Sequence, residues 1–421
     1  MSPLARAHGG RAVGLLAILL AVLSATVTVV APAAQAEDVR ARQWYLDAMK
    51  AEDLWKVSTG KGITVAVLDT GVDSTVPELR GKVLPGRNFY DVGGGPGRVD
   101  GRDTELHGTD MAITIAGTGA GGGLKGLAPG ATILPVKVGP YTSFSYVKPA
   151  AQGIRYAVDS GARVINLSIG GVAKDRDTDE WQKAVDYARE KGALLFASTG
   201  NTGGPLARYP AAIPGVIAVG GLAPNGKVSE ISDYGDHVTL SAPAEKIPTR
   251  CDEDRTRFCD TSGTSHATAI ASAAAALIWS AHPDWTANQV LRVMMETAGA
   301  SGPVPSIYIG YGAVRPSQVL LEGKGDPGPA DVDPLQEARK KNPPAGGADA
   351  SPSGSPAPED TAPGAGDEPA AESPQAAAPD PGAEPGKSGS PLWATVASVA
   401  AVAVVVVVGV AIVLSVRRRK A

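Results

Sequence analysis

Four short polar stretches carry side chains able to move a proton or attack a carbonyl: Asp69-Thr70-Gly71, His107-Gly108-Thr109, Gly200-Asn201 and Gly263-Thr264-Ser265. Ser265 stands where a glycine-containing loop meets the small, helix-forming run Ala267–Ile278. A hydroxyl there faces free N–H groups and the positive end of a helix dipole, the setting an acyl-transfer nucleophile needs. Of the five histidines, His107 alone lies in a glycine-flanked loop leading into a small apolar helical run. A neutral imidazole near pH 7 can take the proton of a serine hydroxyl. Asp69 ends an apolar run, and a carboxylate in that place can orient the ring and stabilise its charged form. Asn201 follows a strand-like run and a glycine, so its amide can donate to an oxyanion, a contribution worth roughly 10²–10³ in rate. Taken singly, each stretch has a plainer explanation: a Ser/Thr helix cap at 264–265, an Asx-turn at Asp69, a turn asparagine at 201.

The elements that must hold these groups read as an α/β domain. Ile63–Leu68, Thr132–Val138, Val164–Ile169, Leu194–Ser198 and Val216–Val219 are short apolar runs with the length of buried strands. Residues 146–160 and 178–191 between them have helical spacing, and Trp285–Ala298 is a later amphipathic helix entered through Pro283-Asp284. Such alternation predicts a mostly parallel sheet with helices on both faces. Asp69 and Asn201 then fall at the carboxyl ends of strands, where such folds build their sites.

In chain order the four residues run Asp69, His107, Asn201, Ser265, and together their motifs resemble those of the subtilisin-like serine proteases, the subtilases. The stretch Val164–Gly171 is similar to the family's strand that pairs with substrate backbone and lines its first specificity pocket. Gly310-Tyr311-Gly312 closes the similarity, which covers about residues 43–321. The resemblance implies a serine endopeptidase with Asp69, His107 and Ser265 as a catalytic triad. Asn201 and the Ser265 N–H form the oxyanion site, and Ser168, Ile169, Gly170 and Gly200 bind substrate. It implies a polypeptide substrate and needs no cofactor; no calcium ligand set is assigned. Gln43–Leu46 and Ala51–Trp55 further resemble the mature N-terminus of the mycosins, membrane-anchored subtilases of type VII secretion, which makes that secretion machinery the expected partner. A catalytically inactive subtilase serving as an anchored scaffold or binding subunit is the alternative, and a non-proteolytic hydrolase on the same scaffold is another.

Four positions depart from the family pattern. Asp110 and Ile113 follow the histidine motif where an apolar residue or histidine and a glycine are usual. His266 and Ala269 follow the serine, Ala269 in place of a proline. Asp110 would raise the pKa of His107 or cap its helix. Ile113 implies local repacking. His266 is one helical step of about 100° from Ser265, so it does not replace His107 as base.

The ends of the 421-residue chain are different in kind. Arg6 and Arg11, the apolar run 12–30 and Ala34-Gln35-Ala36 read as an export signal over residues 1–36. The protease domain is expected over 37–322. Residues 323–390, rich in Pro, Ala, Gly and acidic residues, read as a disordered acidic linker. Leu392–Val416 is 25 residues without a charge, enough to span a bilayer, and Arg417–Lys420 is a basic cytoplasmic tail. The expected location is a single-pass cell-membrane protein with its protease domain outside the cytoplasm. The net charge of −4 shows no basic patch for nucleic acid. Cys251 and Cys259, eight positions apart in an exported chain, are expected to pair rather than remain free thiols or hold a metal.

Overall fold

Strand β1 (Thr64–Asp69) is buried along almost its whole length, and its alternate side chains feed two separate cores. Val65 and Val67 belong to one, Ala66 and Leu68 to the other. Both faces are covered, so the strand reads as an unbroken apolar run. The computed structural model describes residues 39–90, 95–97, 106–139, 147–171, 175–251 and 256–341. Within them, β1 joins β2 (Arg87–Asn88), β3 (Thr132–Lys137), β4 (Val164–Leu167), β5 (Leu194–Ser198), β6 (Ile217–Leu222) and β7 (Val238–Pro243) in a seven-stranded sheet ordered β2-β3-β1-β4-β5-β6-β7. Every pair is parallel. Asp69 is the last residue of β1, opposite Lys137, so its carboxylate emerges at the carboxyl edge of the sheet.

One face is covered by α5 (Val147–Asp159) and α6 (Asp175–Glu190). The other packs against α4 (His107–Ala116) and α7 (Thr264–Ala281). Residues 264–279 of α7 are all buried, and Ala269, Ala271 and Ala273–Ala276 let sheet and neighbouring helices approach from every side. Helix α8 (Ala287–Glu296) packs outside α7 and begins with a capping box between Thr286 and Gln289. The expected strands and helices all form. Strand β7 and an antiparallel hairpin, β8 (Ile247–Arg250) with β9 (Phe258–Thr261), are additions. That hairpin carries the Cys251–Cys259 disulfide, Cα–Cα 5.2 Å, directly ahead of α7.

Two segments extend the body. Short helices α1 (Val39–Arg42), α2 (Trp44–Ala48) and α3 (Ala51–Val57) bury Val39, Tyr45, Leu46 and Leu54. The Trp44 and Trp55 indoles donate to the carbonyls of Glu245 and Leu127. At the other end, after α9 (Pro316–Leu320), the chain does not become an unstructured linker at residue 323 as its composition suggested. It continues through turns into α10 (Pro334–Lys341). Leu335 is buried there, Asp333 pairs with Arg189 of α6, and Glu337 pairs with Arg292 of α8. The folded body therefore continues past Glu322, through Lys341 among the described residues. Among the described residues no helix is long and apolar enough to cross a membrane. The expected export signal, the rest of the linker, the span at 392–416 and the basic tail lie outside the described residues.

Candidate active site

The first two polar motifs are stitched together residue by residue. His107, the first residue of α4, donates from Nδ1 to Asp69 Oδ1 at 2.7 Å. Thr70 accepts the Gly108 N–H on its hydroxyl at 3.1 Å, and Thr109 accepts the Asp73 N–H at 2.8 Å. Gly108 is required by proximity, since a Cβ there would run into the Gly71 carbonyl. Asp69 is fully buried and also accepts the Thr70 N–H at 2.8 Å. A carboxylate can only accept, so Nδ1 of His107 carries a proton, and in the neutral ring Nε2 is the nitrogen with the lone pair. Nε2 belongs to a side chain about one quarter exposed, within reach of an incoming substrate.

The third and fourth motifs are joined in the same way. Ser265 is the second residue of α7, in the first turn, where N–H groups have no acceptor within the helix. Asn201 Oδ1 accepts from both the N–H and the hydroxyl of Thr264, each at 2.8 Å. A backbone N–H can only donate, which fixes the oxygen end of the amide on Thr264 and turns Nδ2 towards Gly263 and the cleft. Ser168 lies beside the serine on two counts: its hydroxyl donates to the Ser265 carbonyl at 2.9 Å, and its carbonyl accepts from Ser265 Oγ at 3.3 Å. Behind it, Asn166 donates to Ser168 Oγ and accepts from Ser272, tying β4 to the middle of α7. His107, Asn201, Gly263 and Ser265 line one cleft of about 270 Å³. Ile169, Gly170 and Gly200 follow the ends of β4 and β5 and are not among the residues lining it. Among the described residues no cluster of His, Cys, Asp or Glu is arranged to hold a metal.

The four unusual residues are each accommodated. Asp110 Oδ1 accepts the Arg250 N–H at 3.2 Å, joining α4 to β8. Ile113 is buried in the core, and Ala269 continues α7 without a break. His266 lines the same cleft but is tied to the hairpin through its Nε2. Thr261 directs its hydroxyl proton to the Ile247 carbonyl and therefore accepts from His266 Nε2 at 2.7 Å. Nδ1 is then the unprotonated nitrogen, buried and without a hydrogen-bond partner. Burial, with the neighbouring His107 as a lesser cause, pushes the His266 pKa from the usual 6.5 down to about 3. The folded chain thus keeps His266 neutral where the unfolded chain protonates it, so stability falls as pH drops from about 6.5 towards 3. His266→Met should flatten that acid-side decline. Urea midpoints of parent and variant at pH 7, 5 and 4 measure it, and parallel slopes would remove His266 as a source.

Sequence reasoning missed Thr264 as the anchor of Asn201, although it lies inside the serine motif. It also missed Glu78 and Arg250. Arg250 donates to the fully buried Glu78 through Nε and Nη2 at 2.8–3.2 Å and lies over the Phe258 ring. Nothing in a separation of 172 residues signals such a pair.

Comparison with known proteins places the chain in a family. The model of the subtilase family matches residues 60–318. Thermitase of Thermoactinomyces vulgaris is 36% identical over 241 residues, which cover 56% of this chain and 82% of the relative. The major intracellular serine protease of Bacillus subtilis is 37% identical over 238 residues, 55% of this chain and 72% of the relative. Among solved structures, MycP1 from Mycobacterium smegmatis superposes with a TM-score of 0.58 at 26% identity, covering 69% of this chain and 86% of its own. A second structure of the serine protease MycP1, described as an essential component of the type VII (ESX-1) secretion system, gives 0.56 at 31% identity, covering 66% and 88%. The chain belongs to the subtilase family of serine proteases.

Proposed function

We propose that this chain is a membrane-anchored extracytoplasmic endopeptidase that hydrolyses peptide bonds with Asp69, His107 and Ser265 and serves a type VII secretion system. The 2.7 Å bond between His107 and a fully buried Asp69, in the cleft that holds Ser265 and Asn201, carries the catalytic part. Rotation about the Ser265 Cα–Cβ bond turns Oγ from the Ser168 carbonyl towards the imidazole. The hydroxyl proton passes to His107 Nε2 as Oγ bonds to the substrate carbonyl carbon. The oxyanion takes hydrogen bonds from Asn201 Nδ2 and the Ser265 N–H. Collapse expels the amine, which receives the proton from His107, and water then hydrolyses the acyl-enzyme. The anchoring part rests on the uncharged stretch 392–416 followed by Arg417–Lys420. The secretion part rests on the structural likeness to MycP1.

A fluorophosphonate probe tests the catalytic reading. Ser265 is labelled in the parent chain and unlabelled in His107→Ala; absence of labelling in the parent favours the inactive-scaffold alternative. Asn201→Ala should lower kcat by roughly 10²–10³ with KM little changed, because the amide acts on the oxyanion rather than on bound substrate. Steady-state kinetics on a peptide amide would read this. A drop confined to KM would assign Asn201 to binding instead.

A further inference from the structure

The substrate's side chain at the cleaved bond has a definable container, and one arginine closes it. Strands β4 and β5 pair only as far as Leu167 and Ala197. Beyond that point no ladder joins the two chains, and the crevice in question is the space between Ser168–Gly170 and Ser198–Gly200. One wall starts at Ser168, in contact with Ser265, and the other ends at Asn201. An acyl carbon on Ser265 with its oxygen on Asn201 sets the adjoining side chain at the mouth of this crevice. At its far end Gly171 exchanges both backbone hydrogen bonds with Tyr209, at 2.9 and 3.1 Å, which draws the preceding residue, Arg208, across the floor.

The glycines measure what room remains. A Cβ on Gly170 would stand 3.7 Å from both the Ser198 carbonyl oxygen and Arg208 Cβ, so one carbon spans the gap from wall to wall and touches the floor. A Cβ on Gly200 would run into the Asp233 carboxylate first, at 2.2 Å, and then Arg208 Cγ at 2.9 Å, so the ion pair fills the space beside it. The arginine cannot swing aside easily. Its Nε donates to Asp233 at 3.0 Å and Nη2 to Thr202 at 3.3 Å. Asp233 is itself fully buried and holds the Thr202 N–H, Thr202 hydroxyl and Gly204 N–H. The pair cancels the guanidinium charge, so the floor offers volume exclusion without a charge to attract an acidic side chain.

We propose that Arg208, held by Asp233, fills the base of this crevice and makes the enzyme cleave after small residues such as alanine, glycine and serine. This rests on the catalytic reading above. Each methylene that does not fit a closed pocket costs roughly 10–200-fold in kcat/KM.

The test uses the full-length chain and one peptide amide series varied only at the cleaved position, with Ala, Leu, Phe or Glu. Alanine should exceed each of the others at least tenfold in kcat/KM. Arg208→Gly should raise the Phe/Ala ratio at least tenfold. The double variant Arg208→Gly/Asp233→Asn, which leaves no unpaired buried carboxylate, should raise it equally. If neither variant folds, the parent's preference decides. A parent that cleaves after Leu, Phe or Glu as well as after Ala overturns the inference, as does an unchanged ratio in a folded variant. A parent whose Ser265 takes no fluorophosphonate label overturns the catalytic reading beneath it, whereas a labelled parent with a large-residue preference overturns this inference alone.

Discussion

Ser265→Ala and His107→Ala should each lower kcat for peptide hydrolysis by roughly 10⁶, and the double variant should be no worse than either single one. The steep and non-additive loss follows from the way proton transfer and attack are coupled: without the base the hydroxyl is a poor nucleophile, and without the hydroxyl the base has nothing to activate. Asp69→Asn costs less, roughly 10⁴, because the side chain keeps its shape while its amide favours the wrong imidazole tautomer. The residual rate over water, roughly 10³–10⁴, belongs to the oxyanion donors and binding. Stability separates the variants. Ser265→Ala should leave the urea midpoint unchanged. His107→Ala strips the buried Asp69 of its ring partner and should lower the midpoint at neutral pH. Retention of parental activity in either alanine variant would end the triad assignment.

Arg250→Met is expected to destabilise the folded chain by about 3–5 kcal/mol, the cost of leaving one member of a buried ion pair alone. Glu78 is fully buried, and besides Arg250 it accepts the Leu124 N–H at 3.3 Å. Without the guanidinium its carboxylate has neither solvent nor a countercharge. The same arginine braces the hairpin that leads into α7, and its N–H is held by Asp110 three residues after His107. Loss of the pair therefore loosens the serine relative to the histidine as well as the fold. Glu78→Leu/Arg250→Met should recover most of the loss, because no orphaned charge remains. Urea unfolding of both variants checks this. Equal losses would show that packing of the arginine stem, rather than the charge, is what matters.

The parts of the molecule legible in the sequence were those whose signal is local. Strands such as Val164–Leu167 and Leu194–Ser198 are buried on both faces, so their apolar runs stand out without knowledge of their neighbours. The four motifs were legible together by their order and residue types, and two of them carry the residue that ties them to another: Thr70 accepts the Gly108 N–H of the histidine motif, and Thr264 donates to Asn201. Strand β7 was harder. Thr239 and Ser241 break its apolar run, and their backbone groups are satisfied by Tyr311, Gly312 and Val314 far along the chain. Helix α10 was hidden for a different reason. Composition averaged over residues 323–390 is that of a chain that cannot bury enough surface, yet a single Leu335 and two ion pairs to α6 and α8 hold its first part in place. The roles of Asp110 and His266 were illegible because their partners, Arg250 and Thr261, lie in a hairpin whose pairing no local pattern announces.

The seam made by Asp333, Leu335 and Glu337 has a mechanical consequence. Tension applied to the polypeptide beyond Lys341 is borne first where Asp333 grips Arg189 and Glu337 grips Arg292. Those grips sit on α6 and α8, neither of which carries Ser265 or His107. Load on the chain there enters the body through the outer helices rather than directly through α7, as a cable clamp relieves the terminals behind it.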